Sequence, residues 1–171
     1  MPGMTDGTPG DHDTPPSPEG PPGGSVVFLL SRLGFDASRR FHAVLANVGL
    51  DPRQFGVLNV IALNEGKSQQ ALAEPLRIPP SRMVAIVDEL EDRKLVERRR
   101  NPDDRRAYAL YLTPTGKTVL GDARRLAMDN EREFTAPLEQ GDREQLLGLL
   151  RRLAAEQDLP IGVHPGLVAP Y

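Results

Sequence analysis

Between Ser68 and Leu112 the apolar residues change period, from helical spacing to alternation, and this change narrows the fold more than any other feature. Ser68 stands as a cap before Leu72, Ala73 and Leu76. After Arg77-Ile78-Pro79-Pro80 a second helical face is formed by Met83, Val84, Val87 and Leu90, with Ile78 placed as a hydrophobic staple onto Met83. Two short helices joined by three or four residues, with the small Ala73 at the crossing, spell a helix-turn-helix. Leu95–Arg99 and Arg106–Leu112 then read as two short strands around a polar tip at 100–105, with Tyr108, Leu110 and Leu112 alternating on one face of the second. A helix-turn-helix followed at once by a two-stranded hairpin is a winged helix.

The flanks are helical. Val26, Leu30, Leu33, Ala37, Phe41, Val44 and Val48 form one continuous stripe, longer than so small a domain can cover by itself, which points to a second subunit. Gly49 sits at the expected C-cap. Asp51-Pro52-Arg53-Gln54 opens the next helix with a cap, a first-turn proline and a capping-box glutamine; Phe55, Leu58, Ile61 and Ala62 follow, and Gly66 ends it. Thr113-Pro114 opens a helix running to about Phe134, and Asp142 with Gln145 predicts the start of a last one carrying Leu146, Leu149, Leu150 and Leu153. The expected organisation is therefore mainly α: a disordered tail at 1–24, a winged helix-turn-helix head at 51–114, a helical dimerisation region from 25–50 and 115–156, and an irregular extension at 157–171.

Composition matters through its distribution. The first 24 residues hold six glycines, seven prolines and four acids, too little apolar surface to offset the cost of ordering the backbone. Without them the formal charge moves from −3 to +1, and the stretch 93–106 holds seven basic residues against three acidic ones, a local net of +4. It is the local field that meets a phosphate backbone. The chain lacks cysteine, which excludes disulfides, thiolate metal sites and thiol-based sensing. No apolar run is long enough for a membrane span or a signal peptide, so a cytoplasmic location is expected. Glu65-Gly66-Lys67-Ser68 imitates the end of a phosphate loop, but Ile61 stands where the first glycine is required. His12, His42 and His164 are far apart, and no nucleophile–base spacing stands out. The reading is no enzyme, no cofactor and no metal.

The stretch Leu95-Val96-Glu97-Arg98-Arg99-Arg100-Asn101-Pro102-Asp103-Asp104-Arg105-Arg106 resembles the Asp-x-Arg wing of the MarR family of bacterial transcriptional regulators, and Leu112-Thr113-Pro114-Thr115-Gly116 its Leu-Thr-x-x-Gly helix entry. Ser68–Ala73 and Val87–Arg93 are similar to the family's first helix and the end of its recognition helix, and the likeness runs from about Phe28 to Leu153. The resemblance implies a homodimer on a pseudo-palindromic double-stranded operator. Arg106, with Arg105, would enter the minor groove, Asp104 would brace the wing arginine, and Pro79, Pro80, Ser81, Arg82 and Ala85 would face the major groove. Ser68, Gln69 and Arg98 complete the expected DNA-binding set. It further implies a repressor of its own or a neighbouring operon, released by a small aromatic or phenolic effector. Phe35, Arg39, His42, Phe55 and Tyr111 are the positions expected to line that pocket.

Four departures from the family pattern stand out. Pro79 replaces a capping serine, Ala85 a frequent arginine, Arg82 a small hydroxyl residue, where it could take over guanine reading through O6 and N7, and Lys94 a glycine, so that Lys94 can turn left-handed only at a cost. The first two slightly favour an alternative, a winged-helix protein-interaction module without operator recognition; the basic hairpin speaks against it.

Overall fold

The computed structural model describes residues 24–74, 76, 78–100, 108–157 and 159. The chain divides into two compact units between Phe35 and Asp36. Among the described residues of the first, the opening turns of α1 (Val26–Ala46) carry Val26, Val27, Phe28, Leu29, Leu30, Leu33 and Phe35, all of them exposed. The tail 1–23 and the segment 160–171, read above as disordered and irregular, lie outside the described residues.

In the second unit α1 ends where Gly49 turns left-handed at φ +70°, and the Leu50 N–H reaches back to the Leu45 carbonyl at 3.0 Å. α2 (Pro52–Leu63) begins with the expected capping box: Asp51 accepts the Arg53 and Gln54 N–H groups at 2.7 and 2.9 Å, and the Gln54 side chain accepts the Asp51 N–H. α3 (Gln69–Ala73) and α4 (Pro80–Asp92) form the helix-turn-helix, and β1 (Val96–Arg100) pairs antiparallel with β2 (Tyr108–Leu112) from Val96↔Leu112 to Arg100↔Tyr108. β1 starts one residue later than expected because the Leu95 N–H is held by the Leu90 carbonyl at 2.9 Å, which keeps Leu95 in the turn after α4.

α5 (Pro114–Phe134) is capped by Thr113, whose hydroxyl accepts the Gly116 N–H at 2.9 Å. α6 (Gln140–Glu156) starts earlier than the predicted Asp142. Pro137 and the Leu138-to-Thr135 turn set the start, and Glu139 takes the extended cap backbone. Asp142 falls instead in the first turn, where its charge faces the positive end of the helix dipole.

One apolar core joins these pieces: Leu45 and Leu50, Val57, Leu58 and Ile61 of α2, Leu72 of α3, Met83, Val87 and Leu90 of α4, Val96, Leu110 and Leu112 of the hairpin, and Leu120 and Ala123 of α5. Ile78 and Met83 are both buried in it, at the two positions of a staple. Each fully buried aliphatic side chain contributes about 1.5–3 kcal/mol relative to exposure, so the head is held by this shared cluster. On α6, by contrast, Leu146, Leu147, Leu149, Leu150 and Leu153 remain 36–47 % exposed.

Candidate nucleic-acid interface

The head is built so that α4 turns one face inward and one outward. Met83, Ile86, Val87 and Leu90 are at most 2 % exposed, while Ser81, Val84, Ala85 and Asp88 form the outer stripe at helical spacing. Pro79 caps α4 without a side-chain hydrogen bond, and its carbonyl receives the Arg82 and Met83 N–H groups at 3.0 and 3.1 Å. Pro79, Pro80, Ser81 and Ala85 are exposed and Arg82 is half-buried. Ser68 and Gln69 are half-buried at the start of α3; the Ser68 hydroxyl accepts the Ala71 N–H at 3.3 Å.

The strand pair is widened by the loop before α3. Gly66 N–H bonds to Leu110 O and Leu110 N–H to Lys67 O, both at 3.0 Å, and Ser68 forms an antiparallel bridge with Ala109. Gly66 sits at φ +88°, and a Cβ there would come within 3.1 Å of the Tyr111 hydroxyl. The hairpin is thereby bonded to the segment that leads into α3.

Arg98 lies differently from a groove-facing residue. Its guanidinium hydrogen-bonds Glu91, Asp88 and Gln69, its backbone N–H donates to Glu91 at 3.2 Å, and only 21 % of its side chain is exposed. Burial by itself would lower the Arg98 pKa; the bonds to Asp88 and Glu91 outweigh it and raise the pKa, so the charge is kept and matched internally. Arg93 is similarly engaged, donating to Gln54 at 3.0 Å while Gln54 donates to Glu89 at 2.9 Å. Part of the basic run read from sequence is therefore neutralised within the head. Arg99 lies 4.4 Å over the Tyr111 ring and pairs with Glu97, and Arg100 is exposed at the end of β1. Asp104, Arg105 and Arg106 lie outside the described residues.

The five positions expected around an effector belong to α1, α2 and β2. Phe35 belongs to the first unit and is 74 % exposed. Arg39 and His42 are exposed, Arg39 pairing with Asp36 at 2.8 Å, and Phe55 meets Phe41 edge to face at 5.7 Å. Tyr111 is covered by Arg99. A cavity of about 210 Å³ is lined instead by Ala62, Glu65, Leu112, Lys117, Leu120 and Arg124. Glu65 pairs with Lys117 at 3.1 Å and accepts the Leu112 N–H, and Arg124 donates to Asn59 at 2.8 Å. Lys117, Leu120 and Arg124 share one face of α5 by their spacing, the one sequence signal that pointed there.

Comparison with known proteins decides the family. A MarR-family model matches residues 48–107, and the chain is 36 % identical over 148 residues, 86 % of its length and 89 % of the relative's, to a candidate transcriptional regulatory protein for the hcr operon of Thauera aromatica. The chain belongs to the MarR family. Among solved structures this MarR-family regulator is similar to the transcriptional repressor CouR bound to a 23-mer DNA duplex, at 34 % identity and TM-score 0.68, covering 77 % of this chain and 94 % of that one. It is also similar to CouR of Rhodococcus jostii RHA1 bound to p-coumaroyl-CoA, at 29 % identity and TM-score 0.64, covering 77 % and 93 %. Its relatives are transcriptional regulators, and among the described residues no helix is long and apolar enough to cross a membrane.

Proposed function

We propose that this MarR-family regulator is a homodimeric repressor that holds pseudo-palindromic operator DNA with α4 in the major groove and the 101–107 tip toward the adjacent minor groove. The observation that carries the DNA reading is the outward face of α4 beside a hairpin carrying Arg99 and Arg100, in a chain 34 % identical to a repressor solved on duplex DNA. Pro79, Pro80, Ser81, Arg82 and Ala85 supply the major-groove side, Ser68 and Gln69 the approach of α3, and Arg105 and Arg106, braced by Asp104, the minor-groove side. Arg98 acts from behind, holding α4.

The dimer reading is supported by the leucines left open on α6 and the apolar residues open on the first turns of α1, more than a monomer ordinarily leaves to water. Two α4 helices would then enter the groove about 34 Å apart, one DNA turn. Release by an aromatic effector is supported by the p-coumaroyl-CoA bound to a relative and by the cavity beside Lys117 and Arg124. Effector and DNA then oppose each other reciprocally.

The test is a fluorescence-anisotropy titration onto DNA from upstream of this chain's own coding sequence, against a scrambled duplex, at two salt concentrations. The reading expects binding at least ~10³-fold tighter to the upstream duplex, with a steep negative salt slope. Absence of binding to either duplex transfers the head to a protein partner.

A further inference from the structure

The outer stripe of α4 is unusually poor in hydrogen-bonding groups for a helix meant to meet base edges. Its middle is Val84, 43 % exposed, and the exposed Ala85, whereas the inward apolar residues of the same helix are at most 2 % exposed. Pro79 and Pro80 have no N–H, and the Arg82 and Met83 N–H groups are both taken by the Pro79 carbonyl, so the helix start offers few backbone donors. At the other end of the stripe the Asp88 carboxylate is drawn onto Arg98 at 2.5 Å, which offsets part of the charge that would repel DNA. At the middle of the outward face stand an isopropyl group and a methyl, between the Ser81 hydroxyl and the ion-paired Asp88, with half-buried Arg82 and exposed Glu89 to one side.

In the major groove guanine and adenine present acceptors, cytosine a donor, and thymine alone among the four bases a C5-methyl group. An apolar side chain laid over a polar edge strips its water and returns no hydrogen bond, whereas laid over a methyl it removes apolar surface from water. We infer that Val84, with Ala85 beside it, selects thymine in each operator half-site by contact with the C5-methyl group. This inference rests on the DNA-binding reading above and deepens it, since it names what the helix recognises.

The experiment uses the full chain to select from a randomised duplex library, then replaces each thymidine of the selected sequence by deoxyuridine, which deletes only the methyl. At one position or more per half-site the wild type should lose about fourfold in affinity, the equivalent of about one methyl withdrawn from water. Val84→Ala, at a solvent-exposed helical site where alanine favours the fold, should bind the thymine and uracil duplexes nearly equally at that position. Indifference of the wild type to every uracil substitution overturns the inference while leaving sequence-specific binding intact; so does an undiminished uracil penalty in Val84→Ala. If no sequence is enriched, the DNA-binding reading itself fails, and this inference with it.

Discussion

The Arg98 guanidinium clasps the Glu91 carboxylate of α4 while the Arg98 backbone N–H donates to the same side chain, so strand β1 and α4 are joined at one residue by two kinds of bond. Asp88 and Gln69 complete the cluster and bring α3 into it. The helix that would enter the groove is thus held in angle by the hairpin.

Arg98→Ala should therefore separate positioning from phosphate contact. Specific DNA affinity should fall about tenfold, a loss of about 1.4 kcal/mol. The log–log salt slope should stay as in the wild type, because no phosphate partner is lost; a slope shallower by about 0.9 would instead mark Arg98 as a phosphate ligand. Its three side-chain bonds also hold the head, and thermal unfolding should show about 1–2 kcal/mol of destabilisation.

Lys94 holds φ 58° where α4 hands over to β1. A left-handed backbone costs a residue with a Cβ about 1–2 kcal/mol, partly offset in glycine by its larger unfolded-state entropy. Lys94→Gly should raise stability by about 0.5–1 kcal/mol, whereas Lys94→Val should lower it. Chemical denaturation midpoints of the two variants check the sign.

Gly116 lies where α5 passes against the start of the hairpin. A Cβ there would sit 1.9 Å from the Leu95 carbonyl oxygen and 2.9 Å from its carbon. Both are backbone atoms and no rotamer relieves the clash, so Gly116→Ala should cost about 3 kcal/mol or more. Thermal denaturation measures it, and a loss below about 1 kcal/mol would mean that α5 shifts freely.

Asp51 gives stability a defined pH dependence. Desolvation by partial burial would raise its pKa, but the Arg53 side chain and the Gln54 and Arg53 N–H groups outweigh this and hold it below its ordinary value of 3.8. A folded-state pKa below the unfolded one means that folding favours the ionised form. The contribution is complete above that ordinary value and is lost as pH falls through the lower folded-state pKa. Asp51→Ala should cost about 1 kcal/mol near neutrality, with the gap to wild type closing in acid; Asp51→Asn should retain most of the cap without that pH dependence.

The sequence by itself determined what its local spacing can encode. The caps at Asp51, Ser68 and Thr113 bond N–H groups two or three residues ahead, so residue type and offset suffice to locate them. The burial of Leu58, Met83, Leu90 and Leu110 follows from helical or alternating periods that place apolar groups on one face. Tertiary structure alone decided the role of Arg98, whose acceptors lie 7, 10 and 29 residues away on two other elements. In sequence it is one more arginine in a basic run; only the packing of β1 on α4 turns its charge inward. Tertiary packing likewise placed the Leu95 carbonyl where a Cβ at residue 116 would lie, and gathered Glu65, Lys117 and Arg124 around a cavity that none of the five expected effector residues lines. Local bonds close over a single turn of chain and leave a readable spacing, whereas contacts between elements depend on how their faces meet, which no offset along the chain records.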